Sequence, residues 1–120
     1  MPYLKDRVKD TTTSTGTGNL TLSGTAPSGY QTFNTAFALG DSNAFCYAIS
    51  GGAEWETGVG YLSASTTLVR AEVFDGSSGA FTAVNFSAGS KDVFCTAPAH
   101  LLMDTNQGAV LCKVRGMDMP

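Results

Sequence analysis

The residues with chemistry to offer are few and scattered. Glu54 and Glu56 stand two apart, and in an extended strand that spacing puts both carboxylates on one face. Paired carboxylates can divide general-acid and general-base work between them. Such work also wants an apolar pocket or a nearby histidine, and the only histidine, His100, lies far along the chain. The pair is therefore expected to be two exposed strand residues. Cys46, Cys95 and Cys112 include no Cys-x-x-Cys spacing, and an odd number cannot all pair within one chain. Each sits in an apolar run, so all three read as small buried hydrophobes of a protein kept in a reducing compartment. Asp104 to Gly108 begins like a calcium loop, but Arg115 stands where the closing carboxylate belongs. No metal-ligand spacing, no glycine-rich phosphate loop ahead of a helix and no nucleophile with a partner base is found. No catalytic residue, metal or cofactor is expected.

The remaining charges point to binding. Lys5, Arg7 and Lys9 are three of the seven Lys and Arg residues, and Arg70 is the only other one before Lys91. In an extended segment they share a side, opposite Asp6, Val8 and Asp10. Such a segment is either a solvated edge strand, whose lysines block unwanted sheet addition, or an arm that docks on an acidic neighbouring subunit. At the other end Met117 and Met119 are the matching partner-binding candidates, and residues 2–19 and 108–120 are expected to contact neighbouring subunits. A net charge of −3 argues against nucleic acid as a partner. No apolar run reaches the 18 or so residues of a membrane span, and the charged stretch after Met1 does not look like a secretory signal. Only 14% of residues are charged, against roughly 25% in ordinary soluble domains. A surface so lightly charged, and rich in Gly, Ser and Thr, is expected to face other protein.

The elements that must position these residues read as strands. Val84 and Phe86, then a turn at Ser87 to Ser90, then Val93 and Cys95 look like a hairpin, ended by Pro98, with the other strands arranged around it. Residues 1–19 read as the arm or edge strand, 20–98 as the core, and 99–120 as a C-terminal turn, strand and tail. Leu20 and Leu22 alternate as a short strand. Tyr30, Phe33 and Phe37 fall at helical spacing, suggesting one short helix from Tyr30 to Leu39 that Gly40 stops. Phe45 to Ile49 is apolar on both faces and so central. Its partner runs from Glu54 to Tyr61, with Gly58 and Gly60 marking a bulge or a close backbone approach. Leu68 to Phe74 follows, with Arg70 and Glu72 able to make weak cross-strand pairs. The sum is an all-β, single-domain antiparallel β-sandwich or small barrel of seven or eight strands, with one short helix and extended terminal arms.

Several segments, taken in order, resemble a module of tailed-bacteriophage virion proteins. They are Asp6 to Gly18 with Leu20-Thr21-Leu22, Phe45 to Ile49, Trp55 to Gly60, Leu68-Val69-Arg70, and Val84 to Phe94. The resemblance spans residues 6 to about 98 and is shared by the N-terminal parts of tail-fibre and spike proteins and by small stand-alone virion proteins. It implies a non-enzymatic structural protein of the virion, a homo-oligomer assembled in the host cytoplasm and bound to other virion proteins. After the module no heptads or shaft-like repeats follow. The expectation is thus an accessory capsid-surface subunit (decoration, cement or head-fibre base) docked on the major capsid protein. The alternative is a tail-fibre, spike or tail-adaptor component for host attachment. A third reading is a carbohydrate-binding module, with Trp55, Tyr47 and Tyr61 as its stacking platform.

Overall fold

The computed structural model describes residues 3–100. Cys112, Met117, Met119, the loop at 104–108 and the strand expected near 110–114 lie outside the described residues. Six strands and one helix make the frame: β1 (Lys9–Thr12), β2 (Leu20–Thr21), α1 (Phe33–Ala36), β3 (Phe45–Gly51), β4 (Glu54–Ala64), β5 (Thr67–Gly76) and β6 (Lys91–Cys95). They form one antiparallel sheet in the order β1-β6-β3-β4-β5-β2. The two outermost strands then meet. Thr12 bridges Leu22, the Ser23 N–H donates to the Thr11 carbonyl at 2.9 Å, and the Thr12 hydroxyl donates to the Thr21 carbonyl at 2.7 Å. The sheet therefore curls into a nearly closed barrel, joined at this seam.

A buried carboxylate fastens that seam. Asp10 is only 1% exposed; it accepts from the Thr11 N–H at 2.6 Å, from the Ser23 hydroxyl, and from the Gly24 N–H at 3.0 Å. Asp10→Ala strips three donors of their acceptor at the closure. We expect it to cost about 1–3 kcal/mol, read as a lower urea midpoint, with hydrogen exchange at Ser23 and Gly24 rising first.

β3 is buried along Phe45–Ile49, as a strand apolar on both faces should be. Phe45, Tyr47 and Ile49 join the core cluster with Leu20, Leu62 and Val93. The helix is shorter than its spacing suggests. Thr32 caps it, its hydroxyl accepting from the Thr35 N–H at 3.1 Å, and the chain is already extended at Phe37, so Gly40 does not end it. Phe33 and Phe37 do pack on the sheet, with ring centroids 5.0 and 4.6 Å from that of Phe45. Tyr30 lies outside the helix and has a different task.

The expected hairpin of Val84 to Cys95 does not form. Its second half is β6, second in the sheet and paired with β1 and β3. Its first half is not a strand: Phe86 only bridges Gly16, and the backbone of Val84 is taken by side chains, its N–H by Glu56 and its carbonyl by Arg70. The centre of the sheet is β3 and β4.

Between β4 and β5 the register shifts at Thr57/Gly58 and again at Val59/Gly60, passing over Phe74 and Ala71. These bulges bend the long hairpin and break its alternation. Glu72 faces solvent, whereas Leu68 is fully buried and the Arg70 side chain is 2% exposed.

Candidate partner-binding surface

The acid–base candidates of the sequence are drawn inside the molecule. Glu56, expected at the surface, is 0% exposed. It shares the buried face of β4 with Gly58, Gly60 and Leu62, where its carboxylate meets the guanidinium of Arg70 and the phenol of Tyr47. One carboxylate oxygen accepts from Arg70 Nε at 2.8 Å and Tyr47 Oη at 2.6 Å; the other accepts from Arg70 Nη2 and from the Val84 N–H at 2.9 Å. Arg70 spends its other donors on the carbonyls of Gly16 and Gly18, each at 3.2 Å, and of Val84 at 2.8 Å. Burial, then the Glu56 charge beside it, holds the Tyr47 phenol far above its ordinary range. Burial also opposes the charge on Arg70, but its bonds to Glu56 outweigh this and its pKa rises. Glu56 and Arg70 use their capacity to tie β4, β5 and the segments around Gly16 and Val84 together. Glu54, half-buried, instead accepts from the Ser87 N–H at 2.9 Å and hydroxyl at 2.8 Å, which lowers its pKa.

Cys46 and Cys95 are free thiols. Burial, aided by the nearby Cys95, pushes Cys46 up to about 11. Above the ordinary thiol value of roughly 8.5 the unfolded chain releases this proton while the folded protein keeps it. The folded state then binds more protons, so stability falls as pH rises from about 9 towards 11, by on the order of 2 kcal/mol. Urea unfolding at pH 8, 9 and 10 should show the decline, and Cys46→Ala should lessen it, the remainder coming from Cys95, whose thiol burial also raises. An unchanged slope in that variant would assign the decline elsewhere.

The basic residues remain outside. Lys5 and Arg7 are exposed and Lys9 half-exposed, whereas Arg70 and Lys91, the other cations among the described residues, are buried. Arg7 lies over the ring of Tyr30, with Cζ 3.9 Å from its centroid, and its Nε donates to the Gly29 carbonyl at 3.1 Å. Lys9 Nζ is 5.3 Å from the same centroid, and Lys5 Nζ lies 6.0 Å from that of Phe37. A turn closed by the Tyr30 N–H to the Pro27 carbonyl at 3.0 Å presents this platform. The backbone then fixes the approach: the Gln31 N–H donates to the Arg7 carbonyl at 2.7 Å and the Lys9 N–H to the Gln31 carbonyl at 3.1 Å. Arg7, Lys9 and Tyr30 thus line a shallow groove of about 340 Å³ beside Val8, Phe94 and Cys95. Grouping Tyr30 with the helix hid its part in this groove; the Pro27-Ser28-Gly29 turn just before it was the available signal.

A second surface is aromatic. Trp55 is 42% exposed and Phe81 64%, and they line an open cleft of about 390 Å³ with Phe74, Asp75 and His100. His100 lies 4.5 Å from Phe74 with the rings tilted by 34°, and meets Phe81 edge-on at 5.2 Å. The platform expected from Trp55, Tyr47 and Tyr61 is not built, because Tyr47 is 0% exposed with its hydroxyl on Glu56.

Among the described residues no group of three His, Cys, Asp or Glu side chains could hold a metal ion, and no helix is long and apolar enough to cross a membrane. No protein-family model, curated protein or solved structure matches the chain.

Proposed function

We propose that this protein is a non-enzymatic structural subunit of a tailed-bacteriophage virion, assembled in the host cytoplasm. In this reading it is an accessory protein of the capsid surface, a homo-oligomer that docks on the major capsid protein or its neighbours. One observation carries the docking role: Arg7, exposed, and Lys9, half-exposed, come together over the ring of Tyr30 and form no ion pair among the described residues. The sparse charge of the chain and its sequence resemblance to phage virion modules support the same reading. The resemblance to tail-fibre and spike modules equally supports a second, tail-located reading.

A tagged copy of the chain, followed on purified particles by immunogold labelling and quantitative mass spectrometry, tests both. Label over the head, at a copy number that follows the icosahedral shell, supports the capsid reading. Label at the tail, at a copy number matching the tail's rotational symmetry, supports the second. Absence from purified particles overturns both.

A further inference from the structure

We propose that the groove at Arg7, Lys9 and Tyr30 captures a pair of carboxylates on a partner protein, an Asp/Glu-bearing loop or chain end, with the Arg7 guanidinium as the fork that grips it. The inference rests on reading the protein as one that docks on its neighbours, and it names the chemistry of what it docks on.

The guanidinium is held ready before any partner arrives. Its Cζ lies 3.9 Å from the centre of the Tyr30 ring and its Nε is bonded to the Gly29 carbonyl, while Nη1 and Nη2 donate to no group among the described residues. A planar guanidinium held over a ring, with two Nη groups that donate to nothing among the described residues, suits bidentate capture of a carboxylate. Because stacking has already restricted the side chain, less rotamer freedom is lost on binding. Lys9, above the same ring, adds a second positive charge without a ring-like geometry of its own.

The local backbone is shaped around this side chain. Arg7 has φ 57°, a left-handed conformation that non-glycine residues rarely adopt. Gly29 has φ 85°, and a Cβ there would lie 3.3 Å from Arg7 Nη2. Strain of this kind persists where surrounding structure enforces it, and it gathers at binding sites.

Two features select a protein carboxylate as the occupant. The exposed acids Asp6, Asp41, Glu72, Asp75 and Asp92 repel a long polyanion, and two cations over one ring cannot follow a nucleic-acid backbone. The contact must also be made by side chains, because the backbone at this end of β1 is already occupied: the Arg7 carbonyl by Gln31, the Val8 carbonyl by the Cys95 N–H at 3.1 Å, and the Lys9 N–H by Gln31. Strand addition, the usual way to join a sheet edge, is closed here.

The test is a titration of the isotopically labelled full chain with a blocked tetraglutamate peptide, followed by NMR. Inorganic phosphate and a four-nucleotide single-stranded oligonucleotide are titrated in parallel. Saturable shifts of the Arg7 Nε–H and the Tyr30 ring with the peptide support the proposal. Arg7→Lys keeps the charge but not the fork and should weaken the peptide by about tenfold or more. Tyr30→Leu, with no change of charge, should weaken it in the same direction. The core resonances of Phe45 and Tyr47 show that each variant is folded; should Tyr30→Leu disturb them, Arg7→Lys alone decides. The proposal is overturned by peptide binding that Arg7→Lys leaves unchanged, by shifts elsewhere on the surface, by no binding, or by phosphate or oligonucleotide binding as tightly as the peptide. A chain found on particles that ignores the peptide overturns this proposal alone. One that binds the peptide yet is absent from particles overturns the virion reading alone.

Discussion

Replacing Arg70 by alanine should destabilise the protein by roughly 3–5 kcal/mol, because it leaves the carboxylate of Glu56 buried without its cation. For a chain of this length that corresponds to a fall in melting temperature of about 10–20 °C. Three losses act together: the ion pair, the bonds to the carbonyls of Gly16 and Gly18, and the bond to the Val84 carbonyl. Arg70→Lys should recover less than half of the deficit. An ammonium is a point charge on a flexible stem, and it cannot reach carbonyls on several sides while also gripping a carboxylate bidentately. Removing both charges, as in Arg70→Met with Glu56→Leu, should cost less than the sum of the single changes, since no orphaned charge remains. Thermal and urea unfolding of wild type, Arg70→Ala, Arg70→Lys, Arg70→Met, Glu56→Leu and the double variant would check this. Full recovery in the lysine variant would sink the account, because charge alone would then suffice.

The network also explains which parts of the structure were legible in the sequence. The central strand was, because Phe45-Cys46-Tyr47-Ala48-Ile49 is apolar on both faces and only a covered strand tolerates that. The bulged partner was, because Gly58 and Gly60 interrupt a strand pattern where a side chain would collide. Glu56 was not. Alternation along β4 assigns it a face but cannot say whether that face is wet, and its buried partner lies 14 residues away on β5. Val84 to Phe86 failed for a related reason: the pattern has strand character, yet its backbone bonds go to Glu56, Arg70 and Gly16, which local periodicity does not register. The basic start of the chain was legible as solvent-facing charge, though Lys5 lies by Phe37, apart from Arg7 and Lys9 over Tyr30. Its groove was not, because Tyr30 is brought to Arg7 by a turn 22 residues further on.

Gly58→Ala is the second change with a large expected effect, and it reaches the same network from the backbone side. An added Cβ would collide with the carbonyl of Glu72 and would sit 2.8 Å from Tyr47 Oη and 3.1 Å from its Cζ. The first obstacle is backbone of the neighbouring strand and cannot rotate away. The second is a fully buried phenol whose hydroxyl is committed to Glu56 at 2.6 Å. Relief therefore requires separating β4 from β5 or dislodging Tyr47, and overpacking of this kind costs about 1–3 kcal/mol, occasionally more. We expect the upper end here, because displacement of Tyr47 also takes a donor from Glu56. Gly18→Ala makes the comparison: its backbone is not left-handed and no atom lies within 4 Å of the added carbon. That substitution should be neutral or stabilise by up to about 1 kcal/mol through the unfolded chain. Tyr47→Phe in the Gly58→Ala background separates the two obstacles. It removes the hydroxyl contact but leaves the Glu72 carbonyl, so the double variant should stay well below wild type while the two costs add to less than their sum. A Gly58→Ala protein as stable as Gly18→Ala would mean that β4 and β5 are not as close at this bulge as the structure has them.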